Sequence, residues 1–334
     1  MSNFTTQFWE TVQNANRVMI TSHTGPDDDS IGSVLSLKGT LSEKNVDADI
    51  IYEANNSDRW ESFKGYSTIR FVKNLKKHVE KYDVYIFLDA NEVQRFSQNE
   101  PRYRGKKICI DHHVLEGEPG FDLHHIDSEA ASTTVLIHNL FWKDKDVPQH
   151  ISEALLLGIL GDTGYFKYIN PNNANVLSVG QKLIEQGDIR LEEFLSRFSS
   201  TKQDAFEVYT LLLRNATIED IDGWPTFLYS FVDEEDVESY SDEVISTGAH
   251  MFVSWPKRVA GITWGFVYTP RNNDQIACSF RSIPGSVNVQ HIAKKMDIGG
   301  GHIRASGGRF ENMTTREAIE QTKEWMRKHD AVTE

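Results

Sequence analysis

Short apolar runs that do not alternate with polar residues punctuate the first half of the chain: Arg17 to Ser22, Ala48 to Tyr52, Val84 to Leu88 and Lys107 to Ile110. A helical pattern from about Ser30 to Leu41 separates the first two. A run such as Val84-Tyr85-Ile86-Phe87-Leu88 is apolar on both faces, which suits a strand in a parallel sheet covered on each side. Strands and helices in this order predict an α/β domain. From Ser132 to about Asn215 the period becomes helical, with helices predicted at Ser132 to Phe141, Ile151 to Leu160, Asn173 to Glu185 and Leu191 to Phe198, then a linker helix from Thr201 to Asn215. Beyond it, Thr226 to Val232, Val259 to Tyr268 and Gln275 to Arg281 read as strands, and Val289 to Met296 and Thr315 to Lys328 as helices. This second half is expected to be a separate α+β domain. The expected boundaries are 1–192, a linker over 193–216, and 217–334.

Composition agrees with two globular domains. The chain has 334 residues, 39% hydrophobic and 25% charged, with only 9 Pro, which is long enough for two cores. Its formal net charge of −14 argues against tracking of long nucleic acid, because phosphate-backbone binding is driven by basic surface. A short oligonucleotide or small nucleotide stays compatible, since bound metal or a local cation cluster can hold a few phosphates. Cys109 and Cys278 each sit in an apolar run without paired ligand spacing, and read as reduced core residues. Neither a leader peptide nor an apolar run approaching the ~18 residues of a membrane span is visible, so the expected location is the cytoplasm and no membrane partner is expected.

Acidic residues and histidines follow or interrupt the apolar elements. Ser22-His23-Thr24-Gly25-Pro26-Asp27-Asp28-Asp29-Ser30 follows one strand and opens a helix, the place where open α/β sheets build their sites; Asp or Ser there is also an ordinary helix cap. Asp89 directly follows Val84 to Leu88, and Asp111-His112-His113 follows Lys107 to Ile110. Asp162 ends the helix from Ile151, where its charge opposes the helix dipole and calls for compensation. Gathered at one sheet edge, His23, Asp27, Asp29, Asp89, His112 and Asp162 would repel strongly unless cations neutralised them. Mixed oxygen and imidazole donors suit Mn²⁺, Fe²⁺, Co²⁺ or Zn²⁺ better than Ca²⁺. Six donor groups are too many for one catalytic ion with open positions, whereas two ions roughly 3.5–4 Å apart and sharing a carboxylate suit in-line phosphoryl displacement.

In the second half, Gly299-Gly300-Gly301-His302 followed by Arg304 offers closely approachable backbone amides and positive charge, and Arg281 at a strand end could join them. A glycine run is also a plain turn, but the neighbouring His and Arg favour an anion site. The remaining histidines at 124, 125, 138, 150, 250 and 291 lack partnered acids and read as surface or core-edge residues, and the acidic run from Asp233 to Asp242 as a solvated face.

In this ordered set, His23 to Asp29, Asp89, Asp111 to His113, Gly161 to Gly164 and Gly299 to His302, the chain resembles the DHH/DHHA1 phosphoesterases, and most of all their nanoRNase and 3′-phosphoadenosine-5′-phosphate phosphatase branch. The resemblance spans nearly the whole chain. It implies a parallel-sheet DHH domain with flanking helices, joined by a helical linker to a smaller α+β DHHA1 domain. It also implies that His23 and Asp27 bind one metal, that Asp29, His112 and Asp162 bind the other, and that Asp89 bridges both. His113 would face the substrate phosphate; Asp89, Asp111 and His113 are the catalytic candidates, and Arg281, Gly299, Gly300, Gly301, His302 and Arg304 would bind substrate with His113. Two divalent cations are expected, Mn²⁺ first, with Mg²⁺ or Co²⁺ as alternatives. The implied reaction is hydrolysis of short oligonucleotides to mononucleotides, or of 3′-phosphoadenosine 5′-phosphate to AMP. Turnover of a cyclic or linear dinucleotide messenger is the alternative within the same chemistry, a silent nucleotide-binding regulator the alternative outside it, and a homodimer is a further expectation. Asp28 departs from the family's usual small residue and would add negative charge near the substrate entrance.

Overall fold

A computed structural model describes residues 3–99, 101–115, 117–199, 201–271 and 274–333. The chain divides into two compact units, Met1–Ser199 and Ser200–Glu334.

The first unit runs α1 (Asn3–Gln13), β1 (Val18–Ser22), α2 (Asp28–Ser42), β2 (Ala48–Glu53), β3 (Arg70–Val72), β4 (Val84–Leu88), β5 (Lys106–Asp111), β6 (Leu123–Ile126), α3 (Thr133–Phe141), α4 (Gln149–Asp162), α5 (Val176–Gln186) and α6 (Leu191–Ser199). The strands lie in the order β3-β2-β1-β4-β5-β6, every neighbouring pair parallel. The strand order reverses between β1 and β4, the switch point outside whose carboxyl ends such sheets place their ligands.

The continuous apolar runs are explained by two cores, one on each face. Ile20, Ile86, Leu88 and Ile110 pack with α2, α3 and α4 on one side. Met19, Tyr85, Phe87 and Cys109 pack on the other against Leu75, Val79, Phe96 and Phe121, residues of short 3₁₀ turns and irregular segments rather than regular helices. Two glycines let α2 and α4 touch: a Cβ on Gly32 would lie 2.4 Å from the Ala154 carbonyl oxygen, and one on Gly158 2.3 Å from Asp29 Oδ1. That approach brings the start of α2 against the last turns of α4.

The second unit runs α7 (Gln203–Arg214), β7 (Thr217–Glu219), β8 (Phe227–Phe231), α8 (Glu234–Val237), α9 (Asp242–Phe252), β9 (Trp264–Arg271), β10 (Gln275–Ser282), α10 (Val289–Lys295), β11 (Gly299–His302), β12 (Ala305–Glu311) and α11 (Thr315–Arg327). Its sheet has the order β11-β12-β10-β9-β8-β7, antiparallel except for β8 and β9. Trp264, Phe266, Tyr268 and Phe280 face α10 and α11 in one core, while Leu228 and Val267 face α7 and α9 in the other.

Several details differ from the sequence reading. The division falls at Ser199 rather than at 192, because Phe194 of α6 packs in the first core while Val208 and Leu212 of α7 pack in the second unit. The segment read as a linker helix thus carries its own apolar face. The glycine segment is a hairpin, β11 with β12, and not an open loop. The acidic run includes structural partners: Asp233 accepts two hydrogen bonds from Arg316, at 2.9 and 2.6 Å, and Glu234 caps α11 by accepting from Thr315 N at 2.6 Å. His138, expected near the surface, is buried in α3. No helix among the described residues is long and apolar enough to cross a membrane.

Candidate metal centre

Three strand ends and three helix ends converge at the switch point. Ser22 Oγ donates to the Leu88 carbonyl at 2.6 Å, tying the end of β1 to that of β4. His23 therefore leaves β1 beside Asp89, which leaves β4. Asp89 has a backbone φ of +60°, a conformation costing a residue with a Cβ on the order of 1–3 kcal/mol, tolerated where the surroundings over-determine it. Its amide donates to the Ile110 carbonyl at 3.1 Å, and its Oδ1 accepts from Thr133 Oγ1 at 3.0 Å.

The distances sort the donors into two sets. His23 Nε2 lies 3.6 Å from Asp27 Oδ2 and 3.4 Å from Asp89 Oδ2. His112 Nε2 lies 3.5 Å from Asp89 Oδ1 and 2.9 Å from Asp162 Oδ2. His23, Asp27 and Asp89 form one group whose donor atoms all lie within 4.8 Å of one another; Asp29, Asp89, His112 and Asp162 form a second, and Asp89, His112 and His113 a third that overlaps it. Asp89 belongs to every one.

Each donor is held by its own element. Asp27 caps α2, its Oδ1 accepting from Ser30 N at 2.9 Å. Asp29, fully buried in the first turn of α2, faces the N-terminus of α3 and accepts from Thr133 N at 2.7 Å, Thr134 N at 3.1 Å and Thr134 Oγ1 at 2.8 Å. Those bonds and the helix dipole keep a buried carboxylate tolerable, and they leave about one of its roughly four lone-pair positions for a ligand. His112 Nδ1 faces the Ala130 carbonyl at 3.3 Å. A carbonyl only accepts, so Nδ1 carries a proton and Nε2 is the ring atom turned toward the cluster, the arrangement typical of metal-binding histidine.

The electrostatics demand positive charge. Burial, then the fields of Asp29, Asp27 and Asp162, pushes the Asp89 carboxyl well above its usual range. Burial and the neighbouring Asp29 lift Asp162 to about 6. Burial opposes charge on His112, yet its hydrogen bond to Asp162 and the fields of Asp29, Asp162 and Asp89 win and hold it up to about 10. His112 Nε2 is buried and faces the cluster, 2.9 Å from Asp162 Oδ2. These groups fit divalent cations: carboxylate and imidazole donors in two sets around a shared buried carboxylate, without thiolates.

Asp111 and His113 have other parts. Asp111 is fully buried at the end of β5, and its Oδ1 accepts from His113 Nδ1 at 2.8 Å. That bond turns Nε2 of the half-exposed His113 away from the strand. Asp111 thus holds the ring of His113, whose Nδ1 lies 3.8 Å from Asp89 Oδ1.

Asp28 is not the open negative charge its position suggested. Arg59 donates to it twice, Nε to Oδ1 at 3.1 Å and Nη2 to Oδ2 at 2.7 Å, and Trp60 Nε1 donates to Oδ1 at 2.8 Å. Thr133, Thr134, Arg59 and Trp60 escaped the sequence reading, since their partners lie between 31 and 105 residues away; only the cap-like Ser132-Thr133-Thr134 gave a local hint.

The other expected substrate residues lie in the second unit. Arg281 sits on β10 opposite Ala305, its Nη1 donating to the Phe280 carbonyl at 2.8 Å. Gly299, Gly300, Gly301 and His302 form the edge strand β11, and Arg304 lies in the two-residue connection to β12. Gly299 and Gly300 pair with Gly308 and Gly307, a ribbon without side chains on either strand, and an edge strand keeps one row of backbone groups facing outward.

Residues 17–159 match the DHH family, N-terminal domain, a stretch that holds five of the six donor residues and stops three positions short of Asp162. The chain is 24% identical over 310 residues to the bifunctional oligoribonuclease and PAP phosphatase NrnA of Bacillus subtilis, covering 90% of this chain and 92% of that protein. It is 27% identical over 320 residues to the protein of the same name from Thermus thermophilus, covering 93% and 89%. Among solved structures, an exopolyphosphatase-related protein from Bacteroides fragilis shares the fold with a TM-score of 0.83 at 22% identity, over 97% of this chain and 96% of that one.

Proposed function

We propose, from the premise that residues 17–159 are a DHH-family N-terminal domain, that this chain is a two-metal phosphoesterase that hydrolyses short oligonucleotides to mononucleotides and 3′-phosphoadenosine 5′-phosphate to AMP. The observation that carries the reading is the pair of donor sets sharing Asp89. The names of the two relatives, oligoribonuclease and PAP phosphatase, supply the substrate class.

Bound at these two sets, divalent cations, Mn²⁺ by preference, would supply a water of lowered pKa and neutralise phosphate charge. His23 and Asp27 would hold one, Asp29, His112 and Asp162 the other, and Asp89 both. The protein's own groups do the rest. Asp111 keeps the His113 proton on Nδ1 and aims Nε2 outward, so that the ring can meet a non-bridging phosphate oxygen. Thr133 and Thr134 keep Asp89 and Asp29 from swinging as charge builds. In the second unit, Arg281, His302, Arg304 and the amides of Gly299 to Gly301 would offer a site for a phosphate-bearing ligand.

The test is incubation with Mn²⁺ and, in separate reactions, a 5′-phosphorylated dinucleotide, a ~20-nucleotide single strand, a cyclic dinucleotide, 3′-phosphoadenosine 5′-phosphate and pyrophosphate, with Asp89→Asn alongside. Rapid turnover of the dinucleotide and of 3′-phosphoadenosine 5′-phosphate, absent in the variant, is expected. Turnover of pyrophosphate or the long strand alone would overturn the assignment.

A further inference from the structure

The turn that follows Asp162 is built in an uncommon way. Gly164, Tyr165 and Phe166 have φ of +55°, +61° and +66° in succession. Glycine adopts that region freely; two consecutive aromatic residues do not. The turn is over-determined by hydrogen bonds: Thr163 Oγ1 donates to the Ile159 carbonyl at 2.6 Å and accepts from Phe166 N at 2.9 Å, and Tyr165 N donates to the Leu160 carbonyl at 2.8 Å. Phe166 packs against the first core beneath α5, where a Cβ on Gly180 would come within 3.0 Å of its Cζ.

The reversal that sends Phe166 inward leaves Tyr165 half in solvent, 50% exposed. Beside it lies Arg59, whose guanidinium is bidentate on Asp28. Asp28 stands between the donors Asp27 and Asp29, and Tyr165 follows Asp162 by three residues. A planar π surface therefore stands on the constrained turn that follows Asp162, next to the Arg59–Asp28 pair. Core packing explains Phe166 but gives no reason for an aromatic at 165, and strain held in place beside a site is a reason to look for a role.

We propose that Tyr165, on the turn after Asp162, is the stacking platform for the base of the nucleotide whose phosphate lies at the metal centre. The inference rests on the phosphoesterase reading above and adds the group that tells a nucleotide from a bare phosphate ester. Stacking accepts any base, because every base has a π face, so the platform favours nucleotides over sugar phosphates without choosing among sequences.

The experiment uses the full chain loaded with Mn²⁺ and measures binding of AMP and of ribose 5-phosphate by calorimetry, for wild type, Tyr165→Phe and Tyr165→Ala. Wild type is expected to bind AMP about ten-fold more tightly than ribose 5-phosphate, a preference kept by Tyr165→Phe and reduced to about two-fold or less in Tyr165→Ala, with ribose 5-phosphate affinity unchanged. Equal affinities in wild type, or equal weakening of both ligands in Tyr165→Ala, would overturn it. Dinucleotide turnover measured in parallel separates the two claims: a wild type that fails to cleave while its AMP preference depends on Tyr165 sinks the substrate assignment and leaves the platform standing.

Discussion

The two units treat charge in opposite ways. In the first, four carboxylates and two imidazoles gather at the ends of buried parallel strands, and the central one, Asp89, is 1% exposed. In the second, the candidate groups are backbone amides of a glycine ribbon with Arg304 and His302 beside them, all on an exposed hairpin. A buried negative cluster is stable only with cations and asks for rigid placement. An exposed ribbon of amides suits an anion and asks only that side chains stay out of the way. The contrast teaches that the first unit concentrates buried charge that calls for cations, whereas the second leaves amides and cationic side chains exposed.

The sharpest break in that contrast is Asp89→Asn. Losing the shared carboxylate is expected to lower Mn²⁺-dependent kcat/KM by about 10³-fold or more, since metal assistance is worth several kcal/mol. The metal-free variant should melt no lower than metal-free wild type, because a repelling buried charge is gone. Chelation should silence wild type, and added Mn²⁺ should restore it; activity surviving chelation would remove the metal from the comparison. Next comes His113→Ala, expected to lower kcat about 10²-fold. Asp111→Asn should fall about 10- to 100-fold by misorienting the same ring, and an Asp111→Asn effect added in full to that of His113→Ala would show that Asp111 acts elsewhere.

Gly158→Ala probes the rigidity of the first unit. The new methyl would meet Asp29 Oδ1 at 2.3 Å and Thr134 Oγ1 at 2.5 Å, so a loss of about 1–3 kcal/mol in denaturant unfolding is expected, together with weaker metal binding in calorimetric titration. Gly300→Ala makes the matching change in the second unit, where nothing lies within 4 Å of the new Cβ. There the melting temperature should hold, while KM for a dinucleotide rises about ten-fold if the ribbon carries its phosphates. An unchanged KM would take the hairpin out of substrate binding.

Much of the first unit was legible in the sequence, and the reason is physical. β1, β4 and β5 are buried on both faces, so their runs are continuous and unmistakable, and the residues just past them must lie at the carboxyl edge of a parallel sheet. That logic found His23, Asp89 and His112 before any contact was known. β6 escaped it, because Leu123-His124-His125-Ile126 forms the sheet edge, where polar residues are tolerated. The hairpin also escaped: glycine has no side chain with which to betray strand or loop, and Gly299 to Gly301 read equally well as a turn.

Sequence alone determined which residue types stand at which strand ends, and hence the chemistry: oxygen and nitrogen donors, two sets, a family pattern. The resemblance already implied how those donors divide around Asp89; only the tertiary structure decided what holds them, Thr133 and Thr134 arriving at Asp29 and Asp89 from more than 40 residues away. It also decided that Asp28 is neutralised, since Arg59 and Trp60 meet it from another loop. Periodicity records which face of an element is buried; it carries no record of which distant hydrogen-bond donor will meet a given carboxylate, and that meeting sets each charge's environment.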